Sequence, residues 1–287
     1  MSRLHLSAGP LTLDLAPQHG GAIARFDHGG RPVMRPAPDA TEAVLEMASF
    51  PLVPFVNRIR DGRFRCGGVT VELAPNMAND PSPLHGQGWL SEWTVVEADD
   101  ESAVLAYRHE PGEWPWRYDA VQRFMLDPTG LFVLLTCRNL SDTPMPCGLG
   151  IHPYFPCDGE TLLDTGVTAA WTIDDKVLPV ERVPAEGRFD LRQRRICGQN
   201  LDNGFDGWNG QALLRWSDGL SCTIRSSDAR YFQVYSPATG GIVVAEPVQH
   251  ANAALNEPEE RWAELGIVML APGDERSISV RFEVAQG

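Results

Sequence analysis

The sequence predicts an all-β protein, a large sandwich of antiparallel sheets, on three observations. Apolar and polar residues alternate with a period of two along most of the chain, as half-buried strands require. Turn residues are dense, with 27 glycines and 23 prolines in 287 residues. No long amphipathic helix and no strand–helix alternation interrupts the pattern, which excludes a doubly wound parallel sheet.

Each element follows from the same rhythm. LTLDL at 11–15 alternates until Gly20 and Gly21 break it, and 22–35 reads as strand, Gly-Gly turn, strand. WTVVEA, SAVLAYRHE, YDAVQRFML and LFVLLTCRNL repeat it between 93 and 140, punctuated by Asp99-Asp100 and by DPTG at 127–130. SISVRFEV at 277–284 places Ile278, Val280, Phe282 and Val284 on one face, the mark of a strand buried on one side. Two short segments, 41–49 and 257–265, predict helices of two turns, the second with acidic residues near its start. No low-complexity linker and no internal repeat divides the chain, so one domain is expected over residues 1–287.

Composition narrows the partners. A net charge of −14 and a pI near 4.9 disfavour a nucleic-acid or anionic-membrane surface. No run approaches the roughly 18 apolar residues of a membrane helix. The N-terminal stretch lacks a basic region followed by an apolar one, so a cytoplasmic location is expected. The six cysteines contain no C-x-x-C pair and are expected to be reduced thiols used in packing. Oligomeric state is not readable.

Four segments place polar residues in apolar, strand-like surroundings. In PFVNRIRDGRF (54–64), Asn57 and Arg58 follow an apolar run; Arg58 is either a solvated strand end or a planar guanidinium for several hydroxyls. In SPLHGQGWLSEW (82–93), His85 precedes Gly86 and Gly88, whose freedom allows a tight backbone path beside a ligand. Trp89 and Trp93 are either core or an apolar platform for a sugar. In GLGIHPYFPCDGE (148–160), His152 stands before a corner stiffened by two prolines. In 240–256, Glu246 ends an apolar run, where an unpaired carboxylate is costly to bury and its pKa rises toward that of a base working near neutral pH. A structural salt bridge is the alternative. His85, His152, His250 and Glu246 are metal-ligand types, but they contain no H-x-H or H-x-x-x-H pair that would put two histidines on one element. A G-x-S-x-G nucleophile elbow and a phosphate-cradling loop are also missing.

NRIRDGRF, LHGQGW, GIHPYF, LDNGF and VVAEP occur in the order found in the aldose 1-epimerase (galactose mutarotase) family, and the chain resembles that family over nearly its whole length. The resemblance implies a β-sandwich of the galactose mutarotase type that interconverts sugar anomers without a cofactor or metal. It implies His152 as general acid, Glu246 as general base, and Arg58, His85 and Asp202, with Asn57 beside them, as sugar-binding residues. Asp206 competes with Asp202 for its role. For His152 to be protonated at neutral pH, a neighbouring negative charge is required, and Glu246 is expected to supply it. Gln87 inside the HG-x-G stretch, the shorter chain and the Glu-Pro context depart from the better-known sugar enzymes and bear on the substrate. The alternatives are a mutarotase for a phosphorylated or sulfonated hexose, or a non-catalytic sugar-binding protein of the same fold.

Overall fold

The computed structural model describes residues 3–287; Met1 and Ser2, part of the stretch read above for a leader, lie outside the described residues. The alternating segments fold into two large antiparallel sheets. The nine-stranded sheet runs in the order Arg194–Arg195, Leu162–Thr165, Gln211–Arg215, Leu220–Arg225, Glu275–Gln286, Gly130–Asn139, Tyr118–Asp127, Ser102–His109, Thr94–Ala98. The eight-stranded sheet runs in the order Pro179–Pro184, Ala169–Ile173, Leu201–Asp206, Tyr231–Ser236, Ile242–Val248, Gly150–Ile151, Pro51–Leu52, with Tyr154–Pro156 also on Ile242–Val248. A four-stranded sheet formed by Leu4–Ala8, Leu11–Ala16, Ala22–His28 and Arg31–Pro32 completes the N-terminal part.

The two large sheets bury one face each against the other. Phe155 of the smaller sheet meets Phe282 of the larger, ring centroids 6.5 Å apart. The predicted stripe Ile278, Val280, Phe282 and Val284 is buried in that core, beside Leu131, Val133 and Leu135 of the neighbouring strand. Because side chains alternate across a strand, the other face of the eight-stranded sheet carries Tyr154, Val244, Glu246, Gln233, Tyr235 and Asp202.

Three expectations are corrected. Segment 41–49 makes only a single 3-10 turn, Val44–Glu46. Arg35 takes the carbonyls of Leu45 and Met47, and Ser49 bridges to Ile23, which pulls the chain into extended form. Segment 257–265 likewise holds one 3-10 turn, Glu259–Arg261, between Pro258 and Gly266, whose φ of +92° ends any helix. Cys157 and Cys197 are joined in a disulfide, their Cα atoms 5.6 Å apart, while Cys66, Cys137, Cys147 and Cys222 are buried free thiols. The absence of a C-x-x-C pair concealed this bond, whose partners are 40 residues apart in sequence. Among the described residues no helix is long and apolar enough to cross a membrane.

Candidate active site

The site is built on strand register. Gly150 and Tyr154 pair with Val248 and Val244, so His152 falls opposite Glu246. The strand is interrupted at His152–Pro153, where proline has no N–H for the ladder; the His152 N–H is instead given to the Phe50 carbonyl at 3.0 Å. Phe50 stacks on the imidazole with centroids 4.4 Å apart, and Tyr154 lies at 4.7 Å on a tilted plane. These contacts fix the ring, with Nε2 3.4 Å from Glu246 Oε1. Its Nδ1 is buried with no hydrogen-bond partner.

Both groups are almost fully covered, at 8% and 3% exposed. Burial dominates their ionisation. It pushes the His152 pKa down to about 3 and that of Glu246 well above the usual carboxylate range, the nearby Asp202 raising Glu246 further and Arg58 opposing. The expectation that Glu246 keeps His152 protonated is opposed by burial: desolvation, with the Arg35 charge beside it, favours the neutral imidazole. A carboxylic acid beside a neutral imidazole and a carboxylate beside an imidazolium hold the same single proton.

His85 and Asn57 arrive together from two turns with left-handed backbone, φ +63° and +56°. They exchange hydrogen bonds, one to a side chain and one to the main chain: the Asn57 N–H donates to His85 Nδ1 and the His85 N–H to the Asn57 carbonyl, both at 3.0 Å. His85 is held neutral by burial, with His152 and Arg58 lowering its pKa further. With Nδ1 accepting, Nε2–H is the free donor. Gly86 is obligatory there, since a Cβ at its φ of +73° would stand 2.1 Å from the Val53 carbonyl oxygen. The His85 ring meets His152 edge-on at 5.4 Å.

Arg58 is buried, not solvated. Its Nε donates to Asp80 at 2.9 Å and its Nη1 to Asn57 Oδ1 at 3.2 Å. Asp202 accepts from Gln233 Nε2 at 3.0 Å, and burial raises its pKa, with the Arg58 charge acting against the rise. Of the two candidate aspartates, Asp202 is the one gathered here; Asp206 is directed to Trp171 and Arg182. Trp89 and Trp93 are core, their indole N–H groups bonded to main-chain carbonyls. His250 is structural as well, with Val56 N–H donating to Nε2 and Nδ1 bonded to the Ala251 carbonyl.

Sequence reasoning missed three neighbours. Gln233 pairs with Glu246 in register and lies on the same face; its signal was a lone amide inside the apolar run YFQVYS. Asp80, which orients Arg58, lies in a loop that carries no periodicity. Phe50, the platform under His152, looks like any core aromatic.

The description "Aldose 1-epimerase" matches residues 3–283. The chain is 32% identical over 291 residues, 97% of each chain, to the uncharacterized protein YphB of Escherichia coli K12. It is 27% identical to an aldose 1-epimerase of the same organism over 161 residues, 51% of this chain and 45% of that one. A solved structure from Escherichia coli K12, proposed to be an aldose 1-epimerase, superposes with a TM-score of 0.90 at 29% identity, covering 100% and 99% of the two chains. A galactose mutarotase-like protein from Clostridium acetobutylicum shares the fold, with a TM-score of 0.88 at 18% identity over 99% and 95% of the chains. With its sandwich, the order of its motifs and this match along the whole chain, the protein belongs to the aldose 1-epimerase family.

Proposed function

We propose that the protein interconverts the α and β anomers of a neutral aldose, acting throughout as one domain. The observation that carries the reading is the His152–Glu246 pair, 3.4 Å apart on one buried sheet face, ringed by Arg58, His85, Asp202 and Gln233. Glu246 takes the proton of the anomeric hydroxyl and His152 gives one to the ring oxygen. The C1–O5 bond opens to the aldehyde, rotation about C1–C2 exposes its other face, and the ring closes with the proton transfers reversed. The pair ends with the single proton it began with, and neither a covalent intermediate nor a cofactor is required. Sugar oxygens that donate to the Glu246 carboxylate and accept from His152 favour the ionic form that burial opposes.

Arg58 and the amides of Gln233 and Asn57 supply donors for hydroxyls, and Asp202 supplies an acceptor. The cations near the pair favour a neutral sugar over a phosphorylated or sulfonated one. Arg58 is committed to Asp80, and Arg35 lies over the Tyr154 ring, its guanidinium turned to two main-chain carbonyls. The test is NMR at the anomeric proton of freshly dissolved α-D-glucose and α-D-galactose. A faster approach to the same final α:β ratio is expected; binding without acceleration would leave a sugar-binding protein instead. A cytoplasmic setting is part of the proposal, and Cys157–Cys197 weighs against it. Alkylation of extracts under denaturing conditions decides, six reactive thiols supporting a reducing compartment and four opposing it.

A further inference from the structure

The row of side chains that holds the catalytic pair does not stop there. Glu246 pairs with Gln233, Gln233 with Gly204, and Trp171 with Arg182; the register of Ala169 and Ala170 on Asp206 and Phe205 puts Trp171 opposite Gly204. One face of the sheet thus reads His152, Glu246, Gln233, Gly204, Trp171, Arg182. At about 4.8 Å per strand, Trp171 lies roughly 14 Å from Glu246. Gly204 has ordinary extended backbone, so its small size opens space between Gln233 and the indole: a Cβ there would come within 3.2 Å of Gln233 Oε1 and 4.0 Å of Trp171 Cδ1.

Beyond Gly204 is a cavity of about 490 Å³ whose walls include Trp171, Tyr231, Asp206, Arg182, Arg230 and Arg261, within the range of small-molecule sites. Both rings are pinned by their polar ends. The Trp171 indole N–H donates to Asp206 at 2.7 Å, and the Tyr231 hydroxyl to the Glu264 carbonyl at 2.8 Å. What the rings have left to offer is apolar surface. Around them, Arg182 is held through Nε by the same Asp206, and Arg261 by Glu257 and Glu264. Arg230 is exposed and its guanidinium makes no ion pair among the described residues. The walls hold three guanidiniums and two carboxylates, Asp206 and Glu264, and two of the guanidiniums are already paired, Arg261 also to Glu257 outside the walls; this suits a neutral polyhydroxylated ring, with aromatic surface for its C–H groups and planar donors and carboxylate acceptors for its hydroxyls.

We propose that this cavity is a second pyranose-binding subsite, with Trp171 its platform. Two sources share that chemistry. One is the next unit of a reducing oligosaccharide whose terminal ring lies on the catalytic pair, an arm that rests on the function proposed above; the other is a separate sugar. In a pyranose, C4 lies across the ring from C1, so a 1,4-linked second unit extends away from the pair.

Calorimetry with glucose, maltose and cellobiose on the full chain tests it, with Trp171→Ala and Arg230→Ala as variants checked for folding by near-UV circular dichroism. If the oligosaccharide is the source, wild type binds at least one disaccharide about tenfold more tightly than glucose, at one per chain. If a separate sugar is, two molecules bind per chain. Trp171→Ala abolishes either excess, and Arg230→Ala, at an exposed position outside any ion pair, weakens it about threefold without loss of fold. One sugar per chain with equal affinity for all three overturns the proposal, as does a binding excess that both variants leave intact, or no binding of any sugar. Since the readout is binding, absence of mutarotation would defeat the functional reading without touching this one.

Discussion

The two large sheets divide the work of the molecule. In the nine-stranded sheet the central strands are long and continuous. Tyr118–Asp127 pairs with Gly130–Asn139 over ten successive residues, and Glu275–Gln286 continues the ladder without interruption. In the eight-stranded sheet the strands are mostly shorter, and the one bearing His152 is broken in two. The regular sheet buries apolar stripes and a few uncharged polar side chains, Gln122, Asn139 and Thr165 among them. The irregular one spends one face on the same core and keeps the other for buried ionisable groups that oppose folding. The proposed chemistry lies where the ladder is least regular, because a break turns a side chain and its main-chain N–H toward partners that the pleat would deny it.

The sharpest break of this comparison separates activity from stability. Glu246→Gln is expected to lower kcat for anomer interconversion by about 10²–10⁴-fold, the usual span for a positioned acid–base group, with unfolding in guanidinium unchanged or slightly harder because a costly buried carboxyl is gone. Phe282→Ala, in the regular sheet, is expected to do the reverse. It costs about 3–5 kcal/mol of stability, read from the denaturant midpoint, while turnover per folded molecule is retained.

A smaller effect concerns the rim of the irregular sheet. Cys157→Ser with Cys197→Ser opens a closure of about 40 residues and is expected to remove about 2–4 kcal/mol, measured against the oxidised parent at equal pH.

The last effect is a slope, read as the share of a single histidine. His85, His152 and His250 all have folded pKa values below 6.5 through burial. Below that pH the unfolded chain binds more protons than the folded one, so stability falls as pH drops below 6.5, for His152 and His250 down toward 3, by up to about 1.4 kcal/mol per unit for each histidine. Glu246 acts with opposite sign: its raised folded pKa withdraws stability as pH climbs above 4.5. Urea unfolding at pH 7 and pH 5 should show a loss for wild type that is smaller by one histidine's share in His152→Asn; an equal loss would mean that His152 is not buried neutral.

Much of this was legible in the sequence, for reasons that differ by element. The strand at 277–284 was readable because its periodicity is strict and its inward face wholly apolar. His152 and Glu246 stood out because ionisable residues in apolar, strand-like runs need an explanation, and the ordered motifs placed Arg58, His85, Asn57 and Asp202 beside them. Gln233 was hidden because an uncharged amide in a strand breaks no rule; its importance arises only when register brings it against Glu246 and Asp202. The short helices were misread because tertiary bonds from Arg35 and a bridge to Ile23 outweigh local propensity. The pull of burial on His152 was not legible because sequence reveals the neighbouring charge but not the depth of burial. The disulfide was missed since its two halves meet only when distant turns converge.

That convergence has a mechanical side. Cys157 follows the strand of Tyr154, Cys197 precedes the strand of Asp202, and the turn between the Gln233 and Glu246 strands closes over both. The Cys157 N–H donates to the Gly241 carbonyl, and the Gly241 N–H to Cys197 Sγ. Ser236 clasps the same rim, donating to the Ile196 carbonyl and accepting from the Gln199 N–H. Four strands that deliver the site are thus riveted together at one end. The loops carrying Asn57, Arg58 and His85 meet the sheet at the opposite end, past Val248, where no covalent link helps and the joint is made by hydrogen bonds alone, the Arg58 N–H donating to Asn252 Oδ1 and the Val56 N–H to His250 Nε2.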